Sequence, residues 1–153
     1  MIKFKKVIVM TLATALLLSI TACKNKEPIP ASAYKEKVQE MGYQVVDITE
    51  QYSQPFILQV YGNELDGLHM EFFQTDTLDN SVGIFNTNKQ IIETYKGSSS
   101  VESSVSLGHY KKYTLKTSDK YYVIVQLEKT FIYSYANKTD SAKLDDIIKV
   151  LGY

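Results

Sequence analysis

Arginine and tryptophan are absent from this sequence, and cysteine occurs once. All 17 basic residues are therefore lysine, so the planar fork that grips carboxylates and phosphates bidentately is missing. A single cysteine cannot form a disulfide within the chain, and its core must hold without covalent staples. Only two histidines, His69 and His109, are present to activate a nucleophile. No Gly-x-Ser-x-Gly elbow accompanies them, which argues against serine hydrolysis, and no glycine-rich loop is present to cradle phosphate. Long apolar runs are scarce too. Val7–Ile20 is fourteen residues without a charge. As a helix it would rise about 21 Å, short of the roughly 30 Å hydrocarbon core of a bilayer.

What is present at the N-terminus has an order to it. Lys3, Lys5 and Lys6 precede the apolar run, and Ile20-Thr21-Ala22 leads into Cys23. A basic start, a short apolar core and a small residue before the cut make a secretory signal peptide. Ile20-Thr21-Ala22-Cys23 resembles the bacterial lipobox, with Ile where that family usually has Leu. The resemblance implies a lipoprotein. Cys23 would carry a diacylglycerol thioether, with further fatty acylation of the palmitate kind, and would become the first mature residue. Two acyl chains on one residue suffice for stable anchoring, where one chain is marginal. The expected organisation is a signal peptide over 1–22, the lipidated cysteine and a tether over 23–30, and one domain over 31–153. The expected location is the cell membrane, lipid-anchored and facing outside the cytoplasm. Three of the 17 lysines lie in the leader, so 14 face 17 carboxylates in the mature chain. That acidic balance, the dispersed lysines and the compartment all exclude nucleic acid as a partner.

The tether Lys24–Pro30 is polar, holds two prolines and reads as having nothing to bury. Ala31–Met41 places Tyr34, Val38 and Met41 on one helical face, with Gly42 as a stop. Gln44–Ile48 suggests a brief strand and Thr49–Gln54 a turn. Phe56–Tyr61 and Leu68–Phe73 alternate as the arms of a hairpin around turn residues Asn63–Gly67. Thr77 can cap a helix from Leu78 to about Lys96, with Leu78, Val82, Phe85, Ile92 and Tyr95 near one stripe. Gly83 inside it suggests a place where another element approaches closely. Gly97–Gly108, with its six serines, reads as a loop, either a binding lid or a solvated connector. Tyr110–Thr117, Tyr121–Glu128 and Thr130–Ala136 read as successive strands, the middle one apolar on both faces. A helix from about Thr139 to Leu151 ends the chain, capped by Gly152. The fold class expected is α+β, a mainly antiparallel sheet of about five strands packed against about three helices.

Candidate chemistry is sparse. His69 and Glu71 share a strand face, with Glu64 and Asp66 in the turn beside them, and are weak candidates to hold a divalent metal. Asp145 and Asp146 are adjacent and diverge on a helix, and Asp76 and Asp79 suit a helix N-terminus, so neither pair suits glycoside chemistry. No catalytic residue and no cofactor is assigned. The aromatic content is more informative. All twelve tyrosines lie beyond the leader, and Tyr110, Tyr113, Tyr121, Tyr122, Tyr133 and Tyr135 fall on three consecutive strands. Tyrosine combines contact area with a polar tip. Tyr110, Tyr113, Tyr122, Tyr133 and Tyr135 are therefore candidate binding residues, with the rim of a core as the alternative.

The order helix, hairpin, a helix bearing Asn86, Asn88 and Lys89, then strands and a helix ending in Leu151-Gly152-Tyr153 resembles small bacterial lipoproteins without an assigned activity. The function expected is a non-catalytic, lipid-anchored domain that binds a protein or ligand at the cell envelope, through the membrane contact of Cys23 and a partner of unspecified kind. The alternatives are an envelope enzyme or enzyme subunit using His69 or His109, and a structural envelope component.

Overall fold

The computed structural model describes residues 26–65 and 67–153. Cys23 and Asp66 lie outside them. Among the described residues the chain forms α1 (Ala31–Glu40), β1 (Val46–Asp47), β2 (Ile57–Leu65), β3 (Leu68–Thr75), α2 (Leu78–Glu93), β4 (Val101–Leu107), β5 (Tyr110–Lys116), β6 (Lys120–Leu127), β7 (Thr130–Asn137) and α3 (Ser141–Val150). The strands make one antiparallel sheet in the order β1-β2-β3-β7-β6-β5-β4. It has seven strands where the sequence suggests about five, and with three α-helices among the described residues the class is α+β.

The main correction is β4. Val101–Leu107 falls inside the segment read as a serine-rich loop, yet it pairs with β5 through seven residue positions, from Val101↔Lys116 to Leu107↔Tyr110. All seven of its side chains are exposed. An edge strand solvated on both faces needs no apolar alternation, so its composition looks like a loop. Gly108, at φ 56°, makes the tight turn into β5. The β2–β3 turn is also shorter than expected, because both strands run on to the pair Leu65↔Leu68.

The sheet is covered on both sides. Adjacent residues of one strand point to opposite faces. Phe72, Val123, Val125 and Ile132 meet Tyr34 and Val38 of α1 and Leu144 and Ile148 of α3. Phe73, Ile124 and Phe131 meet Phe85 and Ile92 of α2. Two cores thus share one sheet, and α1 and α3 lie on the same side of it.

Helix termini explain much of this placement. α1 closes with the Gly42 amide donating to Gln39 O at 2.9 Å and the Tyr43 amide to Val38 O at 3.1 Å. α3 repeats the pattern with Gly152 to Lys149 O and Tyr153 to Ile148 O, both at 3.0 Å. Both are Schellman caps, with Gly42 at φ 88° and Gly152 at φ 91°. Each is followed by a tyrosine, and Tyr43 and Tyr153 are both buried in the α1/α3 core. Thr77 caps α2 by accepting the Asn80 amide at 3.2 Å. That helix ends at Glu93, before Lys96, and Tyr95 leaves the apolar stripe for the surface.

Two further expectations change. A Cβ at Gly83 would meet nothing within 4 Å, so no element approaches closely there. Close approaches occur instead at Gly62, where a Cβ would stand 2.8 Å from Ile48 Cδ1, and at Gly67, where it would stand 2.7 Å from Asn137 Nδ2. The tether also buries something: Ile29 packs against the α1/α3 core, and Lys26 Nζ lies 4.3 Å from the ring centre of Tyr110.

Candidate functional site

Three rows of paired residues cross the α2 face of the sheet. The first runs Glu64–His69–Tyr135–Tyr122 and the second Glu71–Tyr133–Ile124–Tyr113, while the third holds Val60, Phe73 and Phe131. Paired residues on antiparallel strands share a face, so register alone assembles the aromatic groups. α2 packs over Phe73, Ile124 and Phe131. Beyond its last turn the first row stays at the surface.

There His69 stacks on Tyr135 with ring centres 4.8 Å apart and 17° between planes. It meets Tyr133 edge-on at 6.0 Å. Tyr135 lies 5.9 Å from Tyr122, and Tyr122 stacks on Tyr95 at 5.4 Å. Tyr95 is half exposed while His69, Tyr122, Tyr133 and Tyr135 are partly buried, so the four tyrosines and one imidazole form a continuous ridge that reaches the surface most fully at Tyr95. Tyr52 adds an edge contact to Phe73 at 5.0 Å and donates its hydroxyl to Glu71 Oε2 at 2.9 Å.

The ridge separates two hollows. A groove of ≈ 490 Å³ runs between α2 and the segment after β1, with Tyr52, Phe56, Glu71, Phe73, Thr87 and Tyr133 among its walls. A cleft of ≈ 450 Å³ on the other side is lined by Tyr95, Tyr122 and the serines Ser98, Ser99 and Ser100. The serines that stay outside β4 therefore border the aromatic ridge.

Two carboxylates flank His69. His69 Nδ1 is 3.1 Å from Glu64 Oε1, and Nε2 is 3.2 Å from Glu71 Oε1. The hydrogen bond to Glu71 holds the imidazole above its ordinary pKa, against partial burial, with Glu64 adding to the rise. With a carboxylate beside each nitrogen, the charged form of the ring is favoured over the neutral one. No group of three metal-ligating residues forms among the described residues. Burial pushes the phenols of Tyr52, Tyr122, Tyr133 and Tyr135 upward, and Glu71 adds to the shift at Tyr52. The hydroxyls therefore stay protonated, as donors, at neutral pH.

The structure divides the tyrosines named from sequence. Tyr122, Tyr133 and Tyr135 join His69 and Glu71 on the α2 face. Tyr113 shares that face but is buried, its hydroxyl donating to Glu102 Oε2 at 2.9 Å and its pKa pushed up to about 12, mainly by burial. It is a core residue. Tyr110 pairs with Leu127 and faces the α1/α3 core, so the candidate tyrosines are split between two faces. His109 sits in the β4–β5 turn, at the far end of the strands from His69. Sequence reasoning placed neither Tyr95 nor Tyr52 in a site. Tyr95 stood on an apolar stripe and Tyr52 in a turn, and only tertiary packing brings them to the ridge.

No family model matches the chain, and no curated protein matches it. Among solved structures, a GTP-binding regulator from Thermotoga maritima is similar, with a TM-score of 0.52 and 12 % sequence identity. The match covers 83 % of this chain and 90 % of that one, and at such identity the likeness is one of fold.

Proposed function

We propose that this chain is a lipid-anchored, extracytoplasmic binding domain of the cell envelope, non-catalytic, with the aromatic ridge as its contact surface. The observation that carries the binding role is the ridge itself. Tyr95, Tyr122, Tyr133 and Tyr135 with His69 put rigid rings and hydroxyl donors beside two hollows, the composition favoured at recognition surfaces. The anchor rests on Ile20-Thr21-Ala22-Cys23 behind its apolar run. GTP binding stays with the structural neighbour, since this sequence has neither a glycine-rich phosphate loop nor an arginine.

Cross-linking in intact cells followed by pull-down, beside a thermal-shift screen of envelope ligands, tests the binding role. Tyr95→Ala, at a half-exposed position, lowers recovery of the partner without changing the melting temperature. No partner above background together with a flat screen rejects the reading. Cys23→Ala abolishes incorporation of labelled lipid and releases the protein from membranes. Continued labelling rejects the anchor.

One arrangement favours a second reading, an envelope enzyme. Tyr52, Glu71 and His69 form a hydrogen-bonded chain at the groove, which suits proton transfer. His69→Ala combined with His109→Ala removes that capacity, and an unchanged cellular phenotype rejects it.

A further inference from the structure

On the face and end of the sheet opposite the aromatic ridge, a cavity of ≈ 520 Å³ opens between β4, β5 and α3. Lys26, Lys112 and Lys149 gather around it with Tyr110 and Val105. Lys26 Nζ covers Tyr110, and its ammonium is drawn below the ordinary lysine range by partial burial and then by the neighbouring charge of Lys112. Asp145 offsets part of this charge, 3.7 Å from Lys112 Nζ. Leu107 pairs with Tyr110 and so faces the same way, 70 % exposed, and Val105 beside Lys112 is 39 % exposed. Lysines with an apolar fringe form the mixed surface that suits lipid headgroups.

Chain length decides what lies against it. Lys26 is three residues along the chain from Cys23, a span of at most about 11 Å. That is at most about one and a half Debye lengths at physiological salt. An anchored Cys23 thus holds Lys26 within electrostatic reach of the bilayer. The ridge lies away from it: Tyr135 stands five residues along β7 from Thr130, which pairs with the Leu127 end of β6. At about 3.4 Å per residue that is roughly 17 Å.

We infer that the face built by Lys26, Lys112, Lys149, Tyr110, Val105 and Leu107 lies against an anionic lipid surface, holding the aromatic ridge outward. This rests on the lipoprotein reading. The lipidated protein is reconstituted in vesicles of equal parts phosphatidylglycerol and phosphatidylcholine containing a headgroup quencher. A fluorophore is placed on Leu107→Cys or, at the far end, on Ser118→Cys. Lipid on Cys23 leaves the introduced thiol as the one free to react. Quenching is several-fold stronger at position 107 than at 118, and weakens in Lys26→Ala/Lys149→Ala or in pure phosphatidylcholine, while the protein still floats with the vesicles. Equal quenching at both positions in floating protein overturns the orientation. Strong quenching at 107 that ignores the lysines and lipid charge overturns the electrostatic contact. Protein without diacylglycerol overturns the anchor, and the orientation with it.

Discussion

Both ring nitrogens of His69 face carboxylates, so this residue couples the site to pH. Its folded pKa lies above the ordinary 6.5, chiefly through the hydrogen bond to Glu71. A group raised in the folded state binds its proton more tightly there than in the unfolded chain. Its contribution to stability is complete below about pH 6.5 and is lost as pH rises through the folded value. The urea midpoint of the wild type therefore falls across that window, and His69→Gln flattens this component. An equal slope in the variant assigns the effect to other groups. The sequence placed His69 and Glu71 on one face through their i, i+2 spacing. It did not indicate that Glu64 closes the other nitrogen, because that depends on how β2 and β3 are paired.

At the scale of elements, local rules identified most of the chain. Schellman glycines, the Thr77 cap and the alternation of β5, β6 and β7 are short-range signals that stand in the sequence. β4 was hidden because its apolar residues are interspersed with serines and none of its side chains is buried. Val101, Val105 and Leu107 do alternate at period two, a faint strand signal among the serines. Exposure separates β4 from its neighbour in energy as well. Leu107→Lys changes stability by no more than about 0.5 kcal/mol, as exposed substitutions do. Leu115→Ala in β5, fully buried in the α2-side core, costs about 2–5 kcal/mol. Paired urea melts compare them. A large loss at Leu107 would mean that β4 is covered by something in solution.

In the whole molecule, one sheet separates two cores, and β7 is its central strand. Phe131 serves the α2 side and Ile132 the α1/α3 side, though they are neighbours in sequence. Emptying either site costs about 2–5 kcal/mol. Because both cores lean on the same strand, each variant unfolds in one cooperative transition. Far-ultraviolet circular dichroism and tyrosine fluorescence should then give coincident midpoints in Phe131→Ala and in Ile132→Ala. Separate midpoints would show that the two layers unfold independently.

What the sequence determined by itself was local in origin: the capped helices, the alternating strands and the α+β class. Hydrophobic period, cap chemistry and turn residues act over a few positions, so they can be read without the fold. Strand order and the choice of face come from contacts between residues far apart in sequence, and these the tertiary structure decided. It split the tyrosines between two faces, carried Tyr95 and Tyr52 to His69, turned a serine-rich stretch into an edge strand, and set Lys26 and the aromatic ridge at opposite ends of one sheet.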